Sequence, residues 1–252
     1  MASRRAVMGA IGGSLLLAAG TPALAAAAGP YAAVLANPAR KDDRSDDARR
    51  KPAEILAFGK VKAGDKVVDL IPGGGYFSRL FSLAVGPRGR VFALWPNEYA
   101  AEARPAPEEQ TAMYKRAPWT NISLLFQPAR AFSTPEPVDL VFTSQNYHDY
   151  PDPFMGPVDP AVLNRAVFKA LKPGGLYVVI DHAGRPGSGL KETNTLHRIE
   201  AATVKAQVIA AGFVFDGESQ ALRNPKDPRT KAVFDPSVRY HTDQFMLRFR
   251  KP

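Results

Sequence analysis

The chain has 252 residues, an apolar share of 45% and a formal net charge of +9, from 33 Lys and Arg against 24 Asp and Glu. The length fits one large domain or two small ones, with a sizeable core. The absence of cysteine excludes disulfides, thiolate zinc sites and cysteine nucleophiles, and the scattered basic residues leave nucleic-acid binding as a minor alternative.

Residues 1–25 have the layout of an export signal. A basic pair at residues 4–5 precedes an apolar stretch at 6–19, and small residues at 23–25 form an A-x-A cleavage site. The apolar stretch is shorter than a transmembrane helix requires. The stretch "SRRAVM" is typical of twin-arginine export, although Val7 stands where Phe is preferred, and an ordinary secretory signal is the alternative. We predict a periplasmic or secreted protein, with the cytoplasm as the alternative.

Residues 26–50 precede the predicted domain, which spans 51–252. An extended linker is expected up to about Asn37. The stretch "ARKDDRSDDARRKP" that follows has dense charges of alternating sign, which predicts a solvated helix or a docking segment. Pro52 suits the first turn of the next helix.

Strands and helices then alternate along the chain. Apolar runs predict strands at 67–71, 90–95, 121–126, 138–144, 176–181, 213–219 and 243–250. Helical spacing predicts helices at 53–61, 76–85 and 159–171, a partly helical stretch at 98–117, and one long amphipathic helix at 192–211. This alternation indicates one α/β domain, with a parallel sheet covered by helices on both faces.

Ligands of such sheets bind beyond the carboxyl ends of the strands. The first strand ends in "DLIPGGGY", where Gly73, Gly74 and Gly75 leave the main chain bare at the start of a helix. No Gly-Lys-Ser/Thr follows, so this is not a phosphate-binding P-loop, and Ser78 stands in the third place of a G-x-G-x-x-G pattern. A tight turn without function is the alternative.

Four stretches together carry a family resemblance: "VVDLIPGGGYFSRL", "VDLVFTSQNYHDY", "ALKPGGLYVVIDH" and "LHRIEAATVKAQVIAAGFVFDGES". With them the chain from about residue 54 to the end resembles the class I S-adenosylmethionine-dependent methyltransferases, and more closely a bacterial branch of exported predicted methyltransferases. The resemblance implies a single Rossmann-like methyltransferase domain with a mostly parallel seven-stranded sheet. It also implies S-adenosylmethionine as cofactor and a small molecule as the methyl acceptor.

The resemblance also assigns cofactor-binding residues. The methionine end would be held by Asp69 and by the backbone of Pro72, Gly73, Gly74, Gly75 and Tyr76. Gln145 and Asn146 would line its other side. The chain departs from the family pattern at three positions. Ile71 replaces the first glycine of the loop, Trp95 replaces the carboxylate that binds the ribose, with Glu98 as nearest substitute, and Pro128 falls where an acidic residue usually reaches adenine.

Tyr147, His148 and Asp149 are the candidate catalytic residues after the fourth strand. Histidine suits the removal of a proton from a methyl acceptor near neutral pH, and Asp149 would orient it. Asp181 and His182 form a second candidate pair at the end of the fifth strand.

Each of these residues also has a purely structural interpretation. His148 would then be an ordinary loop histidine bonded to the backbone, and Asp181 a turn residue. His197 and Glu200 are expected on a solvated helix face. The histidines and aspartates also suit zinc or iron, but they show no metal-binding spacing, so no metal is predicted. The proline-rich stretch at 223–236 indicates a long loop, either a substrate lid or disorder.

Export conflicts with a cofactor that is made in the cytoplasm. Either the protein works inside the cell, or it carries a bound cofactor out for one turnover, or the fold has another use outside. The alternative function is therefore an exported small-molecule-binding protein or a non-methylating enzyme on the same fold.

Overall fold

The sheet defines the architecture of the protein. The computed structural model describes residues 29–100 and 106–252, so the predicted export signal at 1–25 lies outside the described residues. The strands are β1 Lys66–Leu70, β2 Arg90–Pro96, β3 Ile122–Gln127, β4 Val138–Ser144, β5 Leu171–His182, β6 Val214–Ser219 and β7 Gln244–Arg250. Their order is β3-β2-β1-β4-β5-β7-β6. The pairs β5–β7 and β7–β6 are antiparallel and the other four pairs of this sheet are parallel, so the predicted seven-stranded, mostly parallel sheet is confirmed.

Helices flank the sheet in the described part of the chain. They are α1 Ala32–Ala36, α2 Asp47–Arg50, α3 Pro52–Phe58, α4 Tyr76–Val85, α5 Asn97–Ala100, α6 Pro107–Tyr114, α7 Pro160–Ala170, α8 Thr193–Leu196 and α9 Ala201–Ala210. Among the described residues, no helix has the length and apolar content that crossing a bilayer requires.

The core lies on both faces of the sheet. Successive side chains of β1 alternate between the faces, so Val67 belongs to the core cluster that contains side chains of α3 and α4, whereas Val68 belongs to the cluster that contains side chains of α7 and α9. Both valines are fully buried. Because each strand is covered on two sides, its sequence is a nearly continuous apolar run.

The predicted long helix at 192–211 is wrong, because the chain breaks between α8 and α9. His197 has a left-handed φ of 53°, and Ile199 pairs with Ala183 as an isolated parallel bridge. Arg198 is completely buried and its guanidinium pairs with the buried Asp227 at 2.8 Å. This pairing outweighs the helical periodicity, since a continuous helix would not carry Arg198 into the same contact.

The break also changes the surroundings of Glu200. Its carboxylate accepts hydrogen bonds from the backbone N–H groups of Gly187 and Gly189 at 2.8 and 3.1 Å. The expected solvated helix face shared by His197 and Glu200 does not exist, because the two residues lie on opposite sides of the break.

Residues 29–51, here called the N-terminal arm, form short helical turns instead of an extended linker. Arg40 in the arm is completely buried, and its guanidinium pairs with Asp47 at 2.6 Å. The arm docks on α4, where Asp47 accepts the Tyr76 hydroxyl at 2.6 Å and Asp43 accepts the Arg79 guanidinium at 3.0 Å. Of the two alternatives for the charged stretch, the docking segment matches the structure.

Candidate active site

A cleft of about 780 Å³ opens beyond the carboxyl ends of the parallel strands. It lies where the chain leaves β1, β2, β4 and β5, as the topology of such sheets requires. Most of the predicted site residues line it: Asp69, Pro72, Gly73, Gly74, Tyr76, Glu98, Gln145, Asn146, His148, Asp149 and His182.

The bend after β1 turns through left-handed backbone at three positions. Ile71, Gly73 and Gly75 have φ values of 58°, 56° and 77°. A β-branched residue rarely adopts this conformation. Ile71, which replaces the first glycine of the family pattern, therefore keeps the backbone shape that glycine would give.

Gly73 and Gly75, the two left-handed glycines of the bend, have different surroundings. A Cβ atom added to Gly73 would meet nothing within 4 Å, so the main chain is open to the cleft there. A Cβ atom on Gly75 would lie 2.2 Å from the hydroxyl oxygen of Tyr114. Gly75 does not line the cleft, so its predicted role in cofactor binding stays a prediction, and Tyr114 of α6 packs where a side chain at this position would lie.

Asp69 is the buried acid at the base of the bend. Its carboxylate accepts the hydroxyl of Ser78 at 2.6 Å, on the first helical turn of α4. Burial raises the pKa of Asp69 to about 6, although the Ser78 hydrogen bond and the charge of Arg50 oppose the shift. Among the described residues no cationic side chain forms an ion pair with Asp69, so this buried carboxylate is suited to receive a positively charged ligand group.

At the end of β2, the side chain of Trp95 lies in the core and that of Glu98 lies in the cleft. Trp95 is buried, and its indole N–H donates to the Gln110 carbonyl oxygen at 3.3 Å. Glu98 lines the cleft, and one of its carboxylate oxygens accepts the backbone N–H of Ala129 at 2.9 Å. Glu98 thus presents a carboxylate to the cleft just beyond the end of β2.

The loop after β4 closes the other side of the bend. The amide of Asn146 donates to the carbonyl of Ile71 at 3.0 Å and to that of Ser144 at 2.7 Å. Gln145 has a left-handed φ of 66°, and its N–H donates to Ile180 on β5. These bonds fix the β4 loop against the glycine bend. Gln145 and Asn146 therefore face the cleft from a rigid position.

His148 lies between three polar side chains. Its Nδ1 is 2.7 Å from Asp181, which also accepts the His148 backbone N–H at 2.9 Å. On the other ring edge, Nε2 is 3.2 Å from Asp149 and 3.3 Å from Nδ1 of His197. Asp181 is completely buried beneath the cleft, so it positions His148 and does not meet a ligand.

The two histidines predicted as catalytic carry different charges. Burial alone would lower the pKa of His148, but Asp181 and Asp149 outweigh it and raise the pKa to about 10. Burial, followed by the positive His148 and Arg198, keeps the pKa of His182 well below its usual range. At neutral pH His148 is therefore a cation and His182 is neutral. His148 does not have the charge that a free general base needs.

Tyr147 does not reach the cleft. Its side chain is fully buried in the core, and its hydroxyl pairs with Asn164 at 2.8 Å and Gln207 at 3.1 Å. These partners come from α7 and α9, which cover one face of the sheet, whereas the cleft opens at the edge where the parallel strands end. The prediction of Tyr147 as a catalytic residue is a misprediction, because the 3₁₀ turn at Tyr147–Asp149 directs neighbouring side chains apart.

Several cleft residues were not predicted from the sequence. His197 joins the cleft only because the chain breaks before α9, and no local signal marks this. The alternating charges of the arm were a usable signal for its docking. The unpredicted lining residues include Asp43, Asp46, Arg50, Arg79, Tyr99, Phe154, Val233 and Phe234.

The residues present fit S-adenosylmethionine. The volume lies within the range of small-molecule sites. The open main chain at Gly73 and Gly74 offers hydrogen-bond donors for a carboxylate, and Asp69 offers a buried negative charge for an ammonium. Glu98 offers an acceptor for hydroxyl groups, and Tyr99 and Phe154 offer aromatic edges with ring centroids 5.4 Å apart.

Comparison with known proteins gives similarity in fold without detectable similarity in sequence. No protein-family model matches the chain, and no curated protein matches its sequence. Among solved structures, a SAM-dependent methyltransferase from Aquifex aeolicus has a TM-score of 0.59 at 16% identity, with 82% of this chain and 93% of that chain covered. The [4+2]-cyclase SpnF has a TM-score of 0.57 at 15% identity, with 81% and 80% covered.

Fibrillarin from Aeropyrum pernix, solved with natively bound S-adenosyl-L-methionine, has a TM-score of 0.51 at 17% identity. The alignment covers 81% of this chain and 76% of fibrillarin. At these identities the likeness establishes architecture alone. The chain has the Rossmann-like fold of the class I S-adenosylmethionine-dependent methyltransferases.

Proposed function

We propose that this protein is an S-adenosylmethionine-dependent methyltransferase that acts on a small molecule. The observation that carries the proposal is the bend after β1, where open main chain at Gly73 lies beside the buried carboxylate of Asp69 in one cleft. The fold, shared with methyltransferases of known structure, supports the same conclusion.

Different residues of the cleft would bind different parts of the cofactor. Asp69 would pair with the α-ammonium of the methionine end, and the main-chain N–H groups of Gly73 and Gly74 would bind its carboxylate. Glu98 would accept hydrogen bonds from the ribose, and Gln145 with Asn146 would close the opposite wall. When bound, S-adenosylmethionine supplies an electrophilic methyl group on a sulfonium.

The acceptor would bind at the end of the cleft formed by His148, Asp149 and His182. Catalysis would come chiefly from positioning, which by itself is worth several kcal/mol of a bimolecular barrier. Because His148 is already protonated at neutral pH, it would orient the acceptor together with Asp149. The neutral His182 would receive the acceptor proton on Nε2, since its Nδ1 lies 2.7 Å from the Thr242 hydroxyl.

Calorimetric titration of the full chain tests the proposal. S-adenosylmethionine or its demethylated product should bind with a Kd in about the micromolar range. Asp69→Asn should weaken binding at least about tenfold, because it removes a charge pair worth more than about 1.4 kcal/mol. Asp159→Asn is the matched control: it makes the same change at the first residue before α7, outside the cleft, where Asn caps equally well. No heat at millimolar ligand would refute the proposal.

Turnover distinguishes the roles of the two histidines. With a pool of small molecules as acceptor, formation of S-adenosylhomocysteine should slow in His182→Ala while cofactor affinity is retained. An unchanged rate in that variant would remove His182 from proton transfer.

A small-molecule binder or a non-methylating enzyme on the same fold is the second candidate function. One observation favours it: the structure of SpnF, a [4+2]-cyclase, has the same architecture. The burial of Trp95 at the usual ribose position agrees with such a change of use. Cofactor binding without any S-adenosylhomocysteine formed from a broad acceptor pool would support this candidate.

The cellular compartment is proposed from residues 1–25 alone. We propose export to the periplasm or outside the cell, by the twin-arginine route. Fractionation of cells, with mass determination of the mature N-terminus, tests this. A full-length protein found only in the cytoplasm would overturn it and would place the protein beside the cofactor supply.

A further inference from the structure

We propose that the cleft contains a divalent transition-metal site formed by Nε2 of His148, a carboxylate oxygen of Asp149 and Nδ1 of His197. These three atoms lie within 4.8 Å of one another. The site goes beyond the proposed function, since metal binding here requires neither S-adenosylmethionine nor methyl transfer.

The distances match those of ligand atoms around one ion. Nε2 of His148 lies 3.2 Å from Oδ1 of Asp149 and 3.3 Å from Nδ1 of His197. Oδ1 of Asp149 lies 3.9 Å from Nδ1 of His197. Ligand atoms bound at about 2.1 Å in tetrahedral or octahedral geometry are separated by about 3.0–3.4 Å. Two separations fall in that range, and the third needs a shift of about half an ångström.

The surroundings orient His148 as a metal ligand. Asp181 engages Nδ1 at 2.7 Å and the backbone N–H at 2.9 Å, so the ring is held with Nε2 directed towards Asp149 and His197. A carboxylate on the far nitrogen is the usual outer partner of a metal-bound histidine, because it fixes the tautomer and increases basicity. The structure therefore supplies an outer partner as well as ligands, and a bound ion would displace the Nε2 proton that His148 carries in its absence.

His197 is fixed at the opening of the cleft. The break between α8 and α9 gives it a left-handed φ of 53°, and its ring packs edge-on against Phe234 with centroids 4.9 Å apart. Its side chain retains 29% exposure, whereas those of His148 and Asp149 are 3% and 5% exposed. An ion would thus be held from below and remain reachable from the cleft.

Three protein ligands leave open positions on the metal. Two imidazoles and one carboxylate suit Zn²⁺, Fe²⁺ and Co²⁺ better than Ca²⁺ or Mg²⁺, which prefer oxygen. The open positions face the end of the cleft where the acceptor is proposed to bind. A metal there would recruit an acceptor with an oxygen or nitrogen donor. The alternative is a hydrogen-bonded histidine pair that binds no ion.

Cobalt binding to the full chain, without an affinity tag, separates these alternatives. Because the sequence has no cysteine and only four histidines, visible Co²⁺ bands would report this cluster with little background. We expect one ion per chain, with Zn²⁺ displacing Co²⁺ in equilibrium dialysis followed by elemental analysis. His197→Ala should weaken binding at least about tenfold, because it removes one of three ligands.

His241→Ala is the matched control, since it removes an exposed histidine outside the cluster and should leave binding unchanged. Asp181→Asn should weaken binding about 10- to 100-fold through the orientation of His148. Circular dichroism checks that the variants fold, and His197 is exposed enough to be replaced without loss of core packing. Equal Co²⁺ binding in wild type and His197→Ala, or none in wild type, would overturn the site. Neither result depends on whether S-adenosylmethionine binds.

Discussion

At the scale of the residue, Asp69 shows how ligand binding and stability oppose each other. The side chain is 2% exposed, and its Ser78 hydrogen bond does not offset the loss of water. Its pKa of about 6 means that the folded protein carries this charge at neutral pH at a cost in free energy. A cationic ligand group would remove the cost.

Asp69→Asn should therefore stabilise the ligand-free protein above pH 6. The pKa is raised from 3.8 in the unfolded chain to about 6, so the stability that protonation gives is complete below pH 3.8 and is lost as the pH rises through 6. The variant should exceed wild type by about 3 kcal/mol at pH 7–8 and match it near pH 4. Urea denaturation across this range measures the difference. A pH-independent difference would contradict the assignment.

Replacing each left-handed glycine of the bend by alanine tests how tightly its surroundings are packed. Gly75→Ala should lose about 2–4 kcal/mol, since its methyl group would overlap Tyr114 and its φ of 77° is strained for alanine. Gly73→Ala should lose only about 1 kcal/mol, from backbone strain, but its methyl group would enter the cleft and weaken cofactor binding.

Denaturation and calorimetry on both variants measure these effects. If Gly75→Ala lost no more stability than Gly73→Ala, the packing explanation would be wrong. Gly73 as a cleft residue followed from the sequence, because a glycine loop after a strand is a local pattern. The role of Gly75 did not, because Tyr114 is distant along the chain.

At the scale of the element, the N-terminal arm is the main difference between expectation and structure. Its charges do not simply face solvent. Asp43 is 8% exposed and pairs with Arg79 of α4, whose guanidinium also donates to the Gly74 carbonyl at 2.8 Å. The arm is therefore connected to the glycine bend through one side chain.

Asp43→Ala should release the arm from α4. Loss of a charge-assisted pair worth about 1.5–3 kcal/mol should increase amide hydrogen exchange over residues 40–50 at least about tenfold. Asp42→Ala is the control, since Asp42 is exposed beside it. Equal exchange in the two variants would show that the arm is held by other contacts.

The helix break before α9 is the second feature of this scale. The spacing of apolar residues across 192–211 predicts a helix. In the structure, however, Arg198 pairs with Asp227, and the N–H of Ile199 donates to the end of β5. A pattern of apolar residues does not contain that information. Tertiary pairing thus decided the element and, with it, the position of His197.

At the scale of the whole molecule, the sheet concentrates the site at one edge. Parallel strands β1, β2, β4 and β5 end at the same rim, so residues far apart in sequence line one cleft. The antiparallel β7, inserted between β5 and β6, extends the sheet without adding a crossover at that rim.

Cofactor binding should be visible in the stability of the molecule as a whole. At a concentration about 100 times the Kd, S-adenosylmethionine should add about 2.7 kcal/mol to the free energy of unfolding. For a domain of this size that raises Tm by roughly 5–10 °C, measurable by scanning calorimetry. Asp69→Asn should show a smaller shift at the same ligand concentration. An unchanged Tm in wild type at millimolar ligand would speak against the cofactor.

The sequence by itself determined the strands, the α/β architecture and the bend after β1. Each of these depends on neighbouring residues, because an apolar run or a group of glycines acts over a few positions. Only the tertiary structure decided that Tyr147 enters the core and that His197 meets His148, 49 positions away. The physical reason is that such contacts form only in the assembled chain, where burial and ion pairing outweigh the local preference for helix. Arg198 is the example, because its buried pair with Asp227 lies where the predicted long helix is interrupted.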